Sequence, residues 1–199
     1  MIKLLLLCIL ANPAVVRVEA VEGGGSSLGS GTCIAATDKS LIVTAWHVVR
    51  DSRGPYRINK LPATLVATDK TWDLALLVVD SRLPSARLSN TPPNIGESLT
   101  VCGFGSGSYR EATGIIRQFL SPGGSEPADI VAMDAAARSG DSGGPMFDSN
   151  GMIVAVLFGS DKLGAHGSHC MRVRWFIKKL QGYDDLKQLA LRDYVLYGR

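Results

Sequence analysis

Gly140-Asp141-Ser142-Gly143-Gly144-Pro145 is the stretch on which the reading of this chain turns. One serine stands among three glycines, with an aspartate before it and a proline closing the run. Without side chains, glycines let backbone N–H groups come close to a ligand and adopt positive φ at little cost. Two such N–H groups converging on one point stabilise a developing oxyanion, and the serine beside them becomes a candidate nucleophile. The same composition also describes an ordinary Gly/Ser loop stopped by proline. A base and an acid elsewhere in the chain decide between the two.

A serine hydroxyl is a weak nucleophile until a neighbouring base takes its proton. His47, in Thr44-Ala45-Trp46-His47-Val48-Val49, follows a strand-like run and is the candidate base, although a single histidine in an apolar stretch more often only packs. Asp73, in Thr71-Trp72-Asp73-Leu74-Ala75-Leu76-Leu77, is the candidate acid. An acid at the head of an apolar run is costly to bury unless it is paired. Asp73 could equally cap a turn, and Asp69 competes for either role.

From residue 27 to 173 the chain consists of short apolar or β-branched runs separated by Gly and Pro. Thr32–Ala36 and Ser40–Ala45 form a hairpin around Thr37-Asp38-Lys39. Pro62–Thr68, Leu74–Val79, Ser98–Phe104, Glu111–Leu120, Ile130–Met133, Met152–Phe158 and His169–Val173 are further strands, and Pro145 starts another. No helical period interrupts them, which argues against crossover helices and a parallel sheet. The fold class is all-β, a barrel or a sandwich.

Ser81–Glu97, with Pro84, Pro92 and Pro93, has a linker's composition and divides two lobes. The lobes run from about 27 to 80 and from about 95 to 174, within a domain of residues 21–180. Trp175, Phe176, Ile177 and Leu180 make an apolar patch, and Asp184-Asp185 can cap a helix in a C-terminal extension over 181–199.

A hydrophobic content of 46% with 20% charged residues belongs to a globular chain. A net charge of +3, with no run of Lys or Arg, gives no footprint for nucleic acid. Lys3, the apolar run Leu4–Ala11 and the small residues around Val18-Glu19-Ala20 read as an export signal over residues 1–20, cut after Ala20. A first core strand is the alternative for this stretch, but Asn12-Pro13 and the glycines after Glu22 count against it. Exported protein would be periplasmic or extracellular, with no membrane contact after signal removal. It would keep Cys33, Cys102 and Cys170, an odd number that leaves at least one thiol unpaired. His166, His169 and Cys170 are too loosely spaced for a zinc site, so neither metal nor cofactor is expected.

The order His47, Asp73, Ser142 is that of the chymotrypsin arrangement among triad enzymes. With Gly29-Ser30-Gly31, Thr44-Ala45-Trp46-His47, Asp73-Leu74-Ala75-Leu76-Leu77, Asp134-Ala135-Ala136 and the serine hexapeptide, the chain resembles the trypsin-like serine proteases over about residues 27–173. Within them it is most similar to the HtrA (Deg) branch. The resemblance implies two antiparallel Greek-key β-barrels with the active site in the cleft between them, acting on polypeptide substrates. His47 would act as base, Asp73 would orient it, Ser142 would attack, and the N–H groups of Gly140 and Ser142 would hold the oxyanion.

The resemblance also places the substrate pocket. Its floor would be Ala136, its wall would include Ala137 and Ser139, and Leu157, Phe158 and Gly159 would line the facing strand. An alanine floor offers a buried cation no partner, so cleavage is expected after small or medium apolar residues and not after Lys or Arg. His169 in the wall would favour acidic residues instead, while Arg138 should face solvent.

Three departures stand out. Asp141 replaces the asparagine usual in HtrA proteins and matches the digestive proteases, where it pairs with a new N-terminal ammonium; here Val21 is the residue that would supply one. The fifty or so residues after the serine leave no room for a PDZ domain. Val48 stands where animal trypsins have a bridged cysteine. Two rival readings remain. The nucleophile elbow of an α/β-hydrolase needs a helix after the serine, which Gly143-Gly144-Pro145 blocks. The other is a catalytically inactive binding module on a protease fold.

Overall fold

Closing a sheet on itself pairs the edge strands that would otherwise be exposed. Both halves of this chain do so in the computed structural model, which describes residues 11–22 and 25–180. The first closed barrel contains β1 (Val15–Glu22), β2 (Gly25–Ala36), β3 (Ser40–Thr44), β4 (Tyr56–Ile58), β5 (Leu61–Asp69) and β6 (Leu74–Val79). Its order is β1-β2-β3-β6-β5-β4, with β4 returning to β1. The second contains β7 (Ser98–Gly103), β8 (Arg110–Leu120), β9 (Ile130–Met133), β10 (Pro145–Phe147), β11 (Ile153–Asp161) and β12 (Gly164–His169). Its order is β10-β11-β12-β9-β8-β7, closed by β10 on β7. Every strand pairing within both barrels is antiparallel.

Strand alternation places the core. Along β6, Ala75, Leu77 and Val79 point into the first barrel with Ile42, Val16, Val18 and Ile58. Leu74 and Leu76, with Leu41 and Val43 of β3, form a second layer shared with Ile153 and Val156 of β11 and with a C-terminal helix. Both faces of β3 and β6 are therefore covered, which is why they read as unbroken apolar runs instead of alternating ones. Leu99, Val101, Ile116, Val131, Met133 and Met146 fill the second barrel.

The Ser81–Glu97 connector is largely irregular, as its prolines imply, and it is pinned. Leu88 is buried and bridges to Ile153, and Ala86 N–H donates to Cys33 O at 2.9 Å. Arg174 of helix α2 (Cys170–Lys179) donates to the carbonyls of Leu88 and Ser89, both at 2.6 Å, and to Asn90 Oδ1.

Several expectations change here. The cut expected after Ala20 falls inside β1, where Val16, Val18 and Ala20 are buried while Arg17 is exposed. Cleavage there would remove most of the strand that closes the first barrel between β2 and β4, so that barrel begins at Val15, well before residue 27. The alternation of Val16, Val18 and Ala20 with Arg17 and Glu19 is itself the mark of a half-buried strand. The strand expected over His169–Val173 is instead the end of β12 followed by α2; the His169 ring caps that helix by accepting Met171 N–H at 3.1 Å. Phe176 and Ile177 are buried in the shared layer, whereas Trp175 is half-exposed. The apolar run Leu4–Leu10 and the helical extension expected over 181–199 lie outside the described residues.

Cys33, Cys102 and Cys170 are all free and buried. Burial disfavours the thiolate, pushing Cys33 up to about 11, Cys102 to about 12 and Cys170 to about 11. All three should resist a thiol-labelling reagent at pH 8 in folded protein and react on unfolding. In the unfolded chain the thiols ionise near their ordinary value of 9.0, so the stability this burial supports is complete below that pH and declines above it. Urea titrations across pH 7–11, with Cys→Ser variants as controls, check both statements. Labelling of any of these three in the native protein at pH 8 would contradict the burial.

Candidate active site

The end of β3 and the turn before β6 meet because β3 and β6 are paired, with Thr44 opposite Ala75. Beyond Thr44 the chain is extended at Ala45, then makes one helical turn, α1 (Trp46–Val49), which sequence reading does not anticipate. Val48 and Val49 anchor that turn in the first core and leave His47 on the open side, half-buried.

Asp73 grips this turn from below. Its Oδ2 lies 2.6 Å from His47 Nδ1, its Oδ1 accepts His47 N–H at 2.7 Å, and its carbonyl accepts Trp46 N–H at 3.1 Å. A carboxylate only accepts, so Nδ1 carries the proton and Nε2 is left with its lone pair. Asp73 holds φ at +50°, a left-handed conformation that costs a non-glycine residue about 1–2 kcal/mol and that these three bonds maintain. Asp69 has the other role: its Oδ1 accepts Thr71 N–H at 3.1 Å and Trp72 N–H at 3.3 Å, an aspartate turn away from the imidazole.

The serine loop is clamped between the barrels. Ser142 O accepts Ser30 N–H at 2.8 Å from the first barrel, and Gly143 N–H donates to Leu157 O at 2.6 Å in the second. Gly143 sits at φ +87°, and a Cβ there would lie 2.1 Å from Ser30 O and 2.2 Å from Thr44 Oγ1, so only glycine fits. This contact brings the loop against Thr44 and Ala45, the residues from which α1 and His47 start. Ser142 Oγ donates to Phe158 O at 3.4 Å, a long bond that leaves the hydroxyl free to rotate.

Gly140 has φ +89°, and its carbonyl is turned away to accept Ser30 Oγ at 2.8 Å. Around it, Asp141 N–H is spent on Arg138 O and Gly144 N–H on Asp141 O. The N–H groups of Gly140 and Ser142 have no protein acceptor among the described residues. Ser30 also takes Phe104 N–H at 2.8 Å, tying the loop to the second barrel. The role of Ser30 is not legible in sequence; the small-residue run Gly29-Ser30-Gly31 is its only signal.

Asp141 is 2% exposed. Its Oδ1 accepts Gly105 N–H at 2.7 Å, its Oδ2 accepts Arg138 N–H at 2.8 Å, and the Arg138 guanidinium closes a fork on both oxygens at 3.1 and 3.3 Å. This corrects one reading: Arg138 does not simply face solvent, because Asp141 is its partner. Val21 lies near the end of β1, opposite Ser26, and the partners of Asp141 are Gly105 and Arg138.

Of the expected pocket residues, Ala136 and Ser139 are exposed and Ala137 is half-buried. Leu157 is buried, while Phe158 and Gly159 are half-buried opposite β12. Arg110 donates to Ala136 O at 3.0 Å. His169 is not in a pocket wall: it is 6% exposed, its Nε2 lies 2.9 Å from Asp129 Oδ1, and Arg172 bonds the same carboxylate at 2.6 Å. The histidine opposite Gly159 is His166, 3.6 Å from Asp161. Cys170 donates separately to Thr91 O at 3.2 Å.

The chain is similar to known proteins. The family model for a trypsin-like peptidase domain matches residues 29–156. The serine protease Rv3671c of Mycobacterium tuberculosis is 29% identical over 162 residues, covering 75% of this chain and 41% of that protein. A probable periplasmic serine endoprotease, DegP-like, of Pseudomonas putida is 34% identical over 142 residues, 65% of this chain and 28% of that protein. The chain thus spans less than half the length of these relatives. Among solved structures, the active form of Rv3671c superposes with a TM-score of 0.74 at 25% identity, covering 85% of this chain and 81% of that one.

Proposed function

Because the chain belongs to the trypsin-like peptidase domain family, we propose that it is a serine endopeptidase that cleaves polypeptides through an acyl-enzyme on Ser142. His47 Nε2 takes the hydroxyl proton as Ser142 Oγ attacks the scissile carbonyl, then returns it to the leaving amine. Asp73 holds the ring in the required tautomer and stabilises the imidazolium. The two N–H groups of Gly140 and Ser142 receive the oxyanion. The observation that carries this reading is the double grip of Asp73 on His47, through ring and backbone together, beside a clamped serine loop. A fluorophosphonate should label Ser142 stoichiometrically, and His47→Ala protein should label far more slowly. Absence of labelling would favour a binding module.

For the residue before the scissile bond we favour small or medium apolar side chains, since Ala136, Ala137 and Leu157 bring no charge. A misfit of one methylene changes discrimination by about 1–3 kcal/mol. A peptide-library profile tests this: dominant cleavage after Lys or Arg would refute it, and dominance of Glu would implicate His166.

Export remains part of the proposal, supported by Lys3 and Leu4–Ala11 and by the periplasmic designation of the Pseudomonas putida relative. A cut that leaves β1 whole falls before Val15. N-terminal sequencing of exported protein should therefore give a start at or upstream of that residue. Active protein beginning at Val21 would show that the first barrel closes without β1.

A further inference from the structure

A cavity of about 770 Å³ opens between the two barrels next to the serine loop, and no residue of β11 lines it. It begins at Gly140 and Gly29, the latter packed so close to the serine that a Cβ would sit 3.1 Å from Ser142 O. Its walls are the β1 and β4 edge of the first barrel and the turn after Phe104 in the second. Leu28, on the rim, is 66% exposed although apolar.

The charge of this cavity is one-sided. Arg17, Arg57 and Lys60 line it against the single acid Glu19, which lies 3.7 Å from Arg57. Arg17 stacks over the Phe104 ring at 5.0 Å and donates to Gly107 O at 2.5 Å, so its contacts are with neutral groups and its charge stays uncompensated. Lys60 is held at the tip of the β4–β5 hairpin by a left-handed backbone, φ +74°, and its ammonium is exposed.

Resting on the peptidase reading above, the acyl half of a substrate lies along β11 and the Ala136 pocket. The leaving half must then pass Gly29 and Leu28 and enter this cavity. We propose that the cavity is a leaving-side subsite that selects polypeptides carrying an acidic side chain two or three residues beyond the scissile bond, with an apolar neighbour against Leu28 and Phe104. Three cations against one acid leave the cleft net positive, which attracts a substrate carboxylate and raises its local concentration; losing Arg57 and Lys60 leaves only Arg17 against Glu19, and solvent exposure makes the effect sensitive to salt.

The test uses quenched-fluorescence peptides identical up to the scissile bond and carrying Glu, Gln or Lys at the second and third positions after it. Purified protein should cleave Glu peptides with kcat/KM about fivefold above Gln peptides at low salt, the preference fading at high salt. The double variant Arg57→Gln, Lys60→Gln should lose that preference while cleaving Gln peptides as before. Its fluorophosphonate labelling rate should be unchanged, because that reagent carries no peptide leaving half. Equal cleavage of Glu and Gln peptides by labelled, active protein would overturn the subsite and leave the nucleophile standing. Failure of wild-type protein to label would instead overturn the peptidase reading. A uniform loss on all peptides in the variant would make the two cations structural and also overturn the proposal.

Discussion

Ser142→Ala is expected to lower kcat by about six orders of magnitude, to the level set by transition-state binding alone. Serine and alanine differ by one oxygen, and that oxygen has a single long bond, to Phe158 O. Nothing in the clamp depends on it: Ser142 O to Ser30 N–H and Gly143 N–H to Leu157 O are both backbone bonds. Thermal stability should therefore stay near wild type while hydrolysis vanishes. His47→Ala should give a similar kinetic loss, since base and nucleophile act as a unit and their effects do not add. Single-turnover assays on protein purified away from host proteases provide the check. Full activity in Ser142→Ala would remove the proposed mechanism.

Asp141→Ala is the other large effect, and it should strike both stability and rate. The substitution orphans the Gly105 and Arg138 N–H groups and leaves the Arg138 guanidinium beside an apolar methyl. Removing one partner of a buried pair costs about 3–5 kcal/mol. The pair also fixes the bend that aims the Gly140 N–H, so its loss should lower kcat by about 10²–10³, the range seen when an oxyanion donor is removed. Arg138→Ala should be milder, because Asp141 keeps two backbone donors and water reaches the vacated side. Urea melts and kcat measured on the same preparations test the ranking. Wild-type kcat in Asp141→Ala would show that the bend holds without the ion pair.

What the sequence made legible was whatever local chemistry enforces. Leu74–Val79 and Ile130–Met133 are strands with the expected limits, because apolar β-branched runs between turns have few other uses. The candidate site residues could be named from the order and resemblance of their motifs; close approach at Gly143 and the pairing of Asp73 are the local chemistry behind two of those residue types. β1 is obscured because the export-signal reading takes residues 1–20 whole, although Val16, Val18 and Ala20 alternate with Arg17 and Glu19 as a half-buried strand does; pairing with β2 and with β4, over thirty positions away, decides. Arg138 was misplaced for the opposite reason: its partner stands three residues on, but the turn that brings them together is not written in either residue. The α2 start was missed because His169 and Cys170 look like a strand continuing, until the ring caps a helix.

The clasp of Arg174 on the connector has a mechanical consequence. A two-lobed molecule joined by a proline-rich segment would ordinarily flex there, opening and shutting its cleft. Here the segment is bolted to α2 by three oxygens of Leu88, Ser89 and Asn90, and Leu88 is stitched to β11. Bending at that joint would break charge-assisted bonds and expose Leu88, so the lobes behave as one stiff body. The Gly105–Gly107 turn at the cleft is pinned as well, by Asp141 and by Arg17, which leaves the exposed turn at Gly123 and Gly124 as the compliant one. Any tuning of this molecule by temperature or by a bound partner is felt in such exposed turns and not in the distance between the barrels.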